Sequence, residues 1–255
     1  MSGGLEAVTQ ALLDARRHLR PADAQPLASA LPDADAAYAV QQQVGAALGW
    51  FGSGAPRHWK SGGPSRAQPL THAPLPPAGV ATSPASGASW PLHARLIESE
   101  IALRLARDVD AALAATLTHA SAAGLVGAMT VSIEIVDSRW QQALAAPALL
   151  RLADLASHGA LVLGDWVPFV ARDWPAQRCC LRIGNQAPVE RTGTHSCGDP
   201  TWVLADWLRH ATGQHGTVAA GTVVTTGTWA GAPAAQPGDL VQVEFDGIGQ
   251  ARVQL

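Results

Sequence analysis

The sequence predicts an α+β protein with a mostly β core and a small helical N-terminal region. Helical spacing and helix punctuation dominate residues 5–48, strand-like alternation begins at Ile97, and Gly221 to Leu255 is a run of short apolar stretches cut by turn residues. In order along the chain, Leu5, Val8, Leu12 and Leu19 recur at near-helical spacing until Pro21 stops them. After a Pro- and Ala-rich link, Asp33 or Asp35 caps a second helix that runs to about Leu48, with Gly49 in the terminating position. Lys60 to Trp90 carries prolines 64, 69, 74, 76, 77 and 84 among Gly, Ser and Ala, and predicts a long irregular segment of the kind that often carries function. In Ile97 to Leu105 the apolar Ile97, Ile101, Leu103 and Leu105 alternate with Glu98, Glu100, Ala102 and Arg104, which predicts a strand. A helix is expected over 109–123, a strand over 131–136, a helix over 147–157, a strand over 160–170, and a helix over 200–212. No internal repeat is present. The expected division is a helical region at 1–55 and a catalytic β domain at 56–255.

Composition narrows the function classes. The 255 residues are 47% hydrophobic and 15% charged, with net charge −3, a mean hydropathy of +0.09 and a pI near 6.3. This is the profile of an ordinary soluble globular protein. The only basic cluster, Arg16, Arg17, His18 and Arg20, suits the solvated last turn of a helix, so nucleic acid is not expected as a partner. The start of the chain lacks a basic stretch followed by an apolar run, and no stretch of eighteen apolar residues occurs, so a cytoplasmic protein without membrane association is expected. Cys179, Cys180 and Cys197 form no zinc or CxxC spacing and are expected to be reduced thiols. The nine tryptophans are assigned to core or interface packing. Of the seventeen Lys and Arg residues sixteen are Arg, leaving Lys60 as the one lysine.

Glu98 and Glu100 lie two apart on a predicted strand, so their carboxylates face the same way and repel. Two readings are open. The pair lies on the wet face of a one-sided sheet beside Arg95 or Arg104, or the two carboxylates hold a hard divalent cation, with Glu134 of a second strand as a third oxygen ligand. GxSxG, P-loop and GxGxxG motifs are absent, which removes support for serine hydrolysis and nucleotide binding. His195-Ser196-Cys197 is expected to be a loop rather than part of a triad.

Taken in order, the motifs resemble the hydratase/decarboxylase branch of the fumarylacetoacetate hydrolase superfamily, the branch of the 2-oxopent-4-enoate (2-hydroxypentadienoate) hydratases. Asp35 to Gln41 is similar to the family's xAYxIQ helix, and His58 to Ser65 to its GWKxGxTS segment. Ile97-Glu98-Ser99-Glu100-Ile101-Ala102 matches xExEIA, and Ile133 to Arg139 matches xEIVDSR residue for residue. Ala153 to Ser157 resembles ADNAS, Gly198-Asp199-Pro200 resembles GxP, and Gly221 to Gly227 resembles GDxxLTG. Gly238-Asp239 and Gly247-Ile248-Gly249 match the closing GD and GxG.

The resemblance implies a mixed β-roll with a barrel-like core, assembled as a ring-like homo-oligomer. It implies Mg²⁺ or Mn²⁺ on Glu98, Glu100 and Glu134, Lys60 as acid/base, and Ser65, Asp154, Pro200 and Thr226 around the substrate. The implied activity is a hydro-lyase that adds water to a small unsaturated 2-oxo acid such as 2-hydroxypenta-2,4-dienoate through a metal-stabilised enolate. Decarboxylation of a 2-oxo-dioate such as 4-oxalocrotonate would use the same chemistry. An acylpyruvate-type C–C hydrolase, or a non-catalytic assembly partner of another pathway enzyme, are further alternatives. The expected pKa of Lys60 is low, because burial and a nearby cation both act downward. The sequence departs from the family at Leu155, Gly63, Pro64 and Thr222, and lacks an acid at 80–83 where relatives often have an Asp facing the substrate.

Overall fold

The computed structural model describes residues 2–255. The chain runs α1 (Ser2–His18), α2 (Ala34–Ala47), β1 (His58–Gly62), β2 (Thr71–Pro74), β3 (Val80–Thr82), β4 (Ala85–Ser86) and β5 (Leu96–Leu105). It continues with α3 (Ala111–Thr116), α4 (His119–Ala122), β6 (Val126–Val136), α5 (Ala148–Ala153), β7 (His158–Leu163), β8 (Val167–Pro168), β9 (Arg178–Ile183) and β10 (Val189–Thr192). It closes with α6 (Leu204–His215), β11 (Val223–Thr225), β12 (Leu240–Phe245) and β13 (Gly249–Gln254). The α+β class read from the sequence is the observed one.

A mixed sheet of eight strands has the order β2-β1-β11-β5-β6-β7-β3, with β8 joined to β6, and a second sheet has the order β10-β9-β12-β13-β4. The long antiparallel pair β5 and β6 forms the centre of the first sheet, with Glu98 directly opposite Glu134 and Glu100 opposite Ser132. One face of that pair carries Ile97, Ile101, Val131, Ile133 and Ile135, all of which enter the main core with Val241, Val243 and Phe245 of the second sheet. The opposite face carries the glutamates. Because both faces of β5 are covered, its period-two pattern does not mark a sheet half open to water.

The helices form their own core. Val8 and Leu12 of α1 pack with Ala37, Val40 and Val44 of α2 and with Trp140, Leu150 and Leu152. The two N-terminal helices therefore share one core with the 140–153 stretch. Asp33 caps α2, its carboxylate accepting from the Ala36 N–H at 2.9 Å, and Gly49 leaves the helix at φ +64°.

Several elements differ from expectation. The Pro-rich segment 60–90 takes in the end of β1 and all of β2 to β4, strands of two to five residues that are too short for periodicity to reveal; β1, β3 and β4 have partners far away in sequence. The helix expected over 109–123 breaks at Leu117, where Thr118 starts α4 with a reciprocal cap to Ser121. The strand expected over 160–170 stops at Leu163, with Val167–Pro168 pairing separately. Arg178–Ile183 and Val189–Thr192 form a hairpin that the sequence pattern did not announce. Within the basic cluster, Arg16 is not free in solvent: its Nη2 lies 2.9 Å from Asp154 Oδ1. The three cysteines are free thiols, with Cys179 and Cys197 buried. Among the described residues no helix is long and apolar enough to cross a membrane.

Candidate metal centre

Lys60 arrives at the glutamates through sheet topology. It pairs in parallel with Thr225 of β11, Thr225 pairs with Ala102 of β5, and residues aligned across neighbouring strands share a face with those two places along. Lys60, Thr225, Glu100, Glu98 and Glu134 therefore occupy one side of the sheet. Carboxylate oxygens of Glu98, Glu100 and Glu134 all lie within 4.8 Å of one another.

Hydrogen bonds fix each group. Lys60 Nζ donates to Glu134 Oε1 at 2.6 Å and to the Ala156 carbonyl at 3.2 Å. His158 Nδ1 donates to the same Glu134 oxygen at 2.9 Å. Thr225 Oγ1 donates to Glu100 Oε2, and Ser132 Oγ donates to Thr225 at 2.8 Å. Glu134 Oε2 is buried without any partner. Arg104, which would have paired with the glutamates on a wet face, instead stacks on Trp166 at 4.4 Å, and Glu100 is 2% exposed. The wet-face reading is therefore excluded for this pair.

The electrostatics are those of a site short of positive charge. Burial pushes the Glu100 carboxyl up to about 8, with Glu134 and Glu98 adding to it. Burial likewise pushes Glu98 up to about 7, against the pull of Lys60. Burial acts on Glu134 too, but Lys60 and His158 outweigh it and hold that carboxyl below its ordinary value. Burial lowers His158 and keeps the imidazole neutral, with its proton on Nδ1 toward Glu134. For Lys60 burial acts downward, but the attraction of Glu134, Glu98 and Glu100 overcomes it and the pKa is raised. In the metal-free site three close carboxylates thus stabilise the ammonium more than burial penalises it, whereas the low pKa expected from the sequence belongs to a site that holds a cation. An all-oxygen donor set with one unpartnered carboxylate oxygen and two carboxyls pushed toward neutrality fits a hard divalent cation.

Behind Lys60 the backbone makes an unusual turn. Leu155, Ala156 and Ser157 all have positive φ, at 53°, 51° and 62°. Consecutive left-handed non-glycine residues cost roughly 1–2 kcal/mol each and survive only where the surroundings hold them. The turn aims the Ala156 carbonyl at Lys60, and it ends the helix expected over 147–157 at Ala153. Asp154 anchors it. Its Oδ1 accepts from Arg139 Nε at 2.7 Å and Arg16 Nη2 at 2.9 Å, and its Oδ2 accepts the Arg139 N–H at 2.9 Å. Arg139 Nη2 also donates to the His158 carbonyl at 2.7 Å.

A cavity of about 620 Å³ opens over the cluster, lined among others by Lys60, Glu98, Glu100, Gly63, Pro64, Arg151, Ser157 and Thr225. The four residues expected around the substrate lie off its wall. Asp154 is fully buried in its arginine pairs. Thr226 turns its hydroxyl to the Ile101 carbonyl at 2.7 Å, and Pro200 is buried at the start of a 3₁₀ turn before α6. Ser65 lies further along the lysine loop and accepts from the Ala67 N–H. Gly63 and Pro64 do line the cavity, whereas Leu155 faces a separate, smaller cavity with Arg16 and Trp50, and Thr222 is buried. His195 donates from Nε2 to the Thr226 carbonyl and holds its own loop, as a structural histidine would. Sequence reasoning missed His158, Ser157 and Arg151. The first two flank or end the matched ADNAS-like stretch, which could have drawn attention to them. Arg151 carried no signal.

A curled mixed sheet with three clustered glutamates and one lysine on its inner face defines a class of carboxylate-lined β-roll proteins. The chain belongs to the fumarylacetoacetate hydrolase family: the fumarylacetoacetate (FAA) hydrolase C-terminal model matches residues 52–255. Among curated proteins none matches this chain significantly by sequence. Among solved structures it is similar to 4-oxalocrotonate decarboxylase from Pseudomonas putida G7 complexed with magnesium and adipate. That likeness has 16% identity and a TM-score of 0.82, over 100% of this chain and 98% of that one. The same decarboxylase with calcium and acetate gives 17% identity and a TM-score of 0.81 over the same shares. Fumarylpyruvate hydrolase from Pseudomonas aeruginosa in complex with Mn²⁺ and pyruvate gives 16% identity and a TM-score of 0.56, over 78% of this chain and 89% of that one.

Proposed function

We propose that the protein is a lyase of small 2-oxo acids that depends on a divalent cation, Mg²⁺ or Mn²⁺, held by Glu98, Glu100 and Glu134. The observation that carries this reading is the set of three carboxylates within 4.8 Å of one another, Glu100 and Glu134 buried and Glu98 half-buried, beside the only lysine of the chain. A bound cation supplies a Lewis acid and template for the carboxylate and 2-oxo oxygens of the substrate. Lys60, protonated at rest, keeps one N–H beyond its two acceptors for a proton transfer at the substrate carbon, and its neutral form takes a proton back from water. His158 and the Ala156 carbonyl orient Glu134 and Lys60. Apolar Val136 and Leu152, both buried, give the carbon chain an apolar wall.

Hydration of 2-hydroxypenta-2,4-dienoate and decarboxylation of 4-oxalocrotonate are both within this chemistry. Incubation with each substrate and Mg²⁺, followed by loss of dienol absorbance, tests the reading. No metal-dependent loss with either would sink it. The reading also includes a homo-oligomer, to be measured by light scattering after size-exclusion chromatography.

Two further outcomes are expected. Glu98→Gln removes one anionic ligand and should weaken Mg²⁺ by about tenfold or more in calorimetric titration. An unchanged affinity would contradict the ligand assignment. The second concerns pH. Glu98 and Glu100 have raised pKa values in the folded protein, so folding takes up protons that the unfolded chain has released. The metal-free protein should lose stability as pH rises through about 7 and about 8. A cation displaces those protons, so the rise in Tm caused by Mg²⁺ should be larger near pH 8.5 than near pH 6.5. Equal shifts at the two pH values would argue against binding at these carboxyls.

A further inference from the structure

Residues 63–70 join β1 to β2, and Gly63, Pro64, Gln68 and Pro69 of this lysine loop line the cavity over the glutamates. The loop is held largely by itself: the Gln68 N–H donates to the Ser65 carbonyl at 3.4 Å, and the Ala67 N–H donates to Ser65 Oγ at 3.3 Å. Among the described residues a single hydrogen bond leaves residues 63–70 for the rest of the protein. It runs from Arg66 Nε to the Cys197 carbonyl at 2.5 Å. The guanidinium of the same side chain lies over the Trp202 indole, with Cζ 4.1 Å from the ring centroid.

The ground on which Arg66 lands is firmly tied. The Cys197 N–H donates to His195 Nδ1 at 3.2 Å, and His195 Nε2 donates to the Thr226 carbonyl at 2.8 Å, next to the end of β11. Trp202 lies parallel to the His119 ring of α4, at 7° and 3.7 Å between centroids, and its carbonyl accepts from His119 Nδ1 at 2.8 Å. Ser196 of this second segment lines the same cavity. Two parts of the cavity lining are therefore joined through one arginine, one part anchored at several points and the other tethered at one. Neither contact of Arg66 is an ion pair. A hydrogen bond to a neutral carbonyl and a cation–π contact are each of modest strength, so the tether is one that thermal opening can release.

We propose that Arg66 is the latch of the cavity: docked on Trp202 and the Cys197 carbonyl it holds residues 63–70 in place as a wall, and released it lets that wall swing away so that ligand enters and leaves. Arg66 is a positioning residue, acting through the loop and not on the reacting atoms. The effect on ligand affinity rests on the 2-oxo acid reading above, whereas the latch itself does not depend on it.

Tryptic digestion of the folded protein, with cleavage of the Arg66–Ala67 bond followed by mass spectrometry, tests the latch. Trypsin must take the Arg66 side chain, so the bond is shielded while the guanidinium is docked. Trp202→Leu should raise the initial rate of this cleavage about fivefold or more, as the open form gains population. Cleavage after Arg182 of β9, which reports wider unfolding, should not change. An unchanged rate at Arg66 would overturn the proposal, as would a rise matched at Arg182. A second arm uses calorimetric titration of 2-oxopentanoate with Mg²⁺ present. Arg66→Met should weaken this ligand about fivefold, because the closed form is less populated, while Mg²⁺ affinity is unchanged and Tm stays within about 2 °C. Arg66→Lys should recover part of the loss, since an ammonium keeps the attraction to the indole without the planar fork. Equal 2-oxopentanoate affinity in Arg66→Met and wild type would overturn the role of Arg66 over the cavity. Failure of the wild type to bind 2-oxopentanoate would sink the 2-oxo acid reading, and the cleavage comparison would still decide the latch.

Discussion

Replacing Lys60 with Met should lower turnover by about 10²–10⁴-fold, the range over which a positioned acid/base group contributes. The methyl thioether fills the same space, so the loss would reflect the missing proton donor and not a hole. Lys60→Arg keeps the positive charge beside Glu134 but should recover little activity, because a guanidinium does not give up its proton at working pH. Cation binding should behave differently. Without Lys60, Glu134 keeps only His158 as a partner on Oε1, and the cluster becomes more negative. Mg²⁺ affinity measured by calorimetry in Lys60→Met should therefore stay level or rise while turnover collapses. Turnover within about twofold of wild type at saturating Mg²⁺ would remove Lys60 from the mechanism and leave the fold as an assembly partner.

Asp154→Ala should be among the most destabilising single changes in the chain, at about 3–5 kcal/mol, or a fall in Tm of roughly 6–20 °C for a domain of this size. The physical cause is the buried arginine left behind. Arg139 is 7% exposed and relies on both oxygens of Asp154 for its Nε and its backbone N–H. Its other carboxylate, Asp137, lies at 3.6 Å. Arg16 would lose its link from α1 into the same turn. Asp154→Asn should cost less, because an amide oxygen can still accept one of these bonds. A residue that touched substrate would instead raise KM and leave the melt almost unchanged. A Tm within about 2 °C of wild type for Asp154→Ala would show that the arginines find other partners.

The two predictions differ in how far the sequence could anticipate them. Lys60 stood out as the single lysine in a chain that otherwise uses arginine, and it fell inside a matched motif. Glu98 and Glu100 were legible because strand alternation puts i and i+2 on one face, a constraint set by local backbone geometry. Asp154 also lay in a matched motif, but a motif does not say which way a side chain points. Its direction follows from the left-handed turn at residues 155–157, a conformation that Leu, Ala and Ser do not favour on their own. The short strands β1 to β4 were hidden for a related reason: two to five residues carry too little periodicity, and their partners are up to about 170 residues away, as Ala85 with Val253.

By itself the sequence determined the α+β class, a helix capped by Asp33 or Asp35 and ended at Gly49, the facing pair of carboxylates on β5 and the one side chain able to exchange protons as an amine. Local rules of helix, strand and turn suffice for these. Only the tertiary structure decided that the face carrying the glutamates is buried, that β11 brings Lys60 across to them, and that this raises the pKa of the ammonium. It also decided that Asp154 supports the site from behind through its arginine pairs. These outcomes depend on burial and on the sum of charges converging from distant segments, and neither quantity exists until the chain has closed on itself.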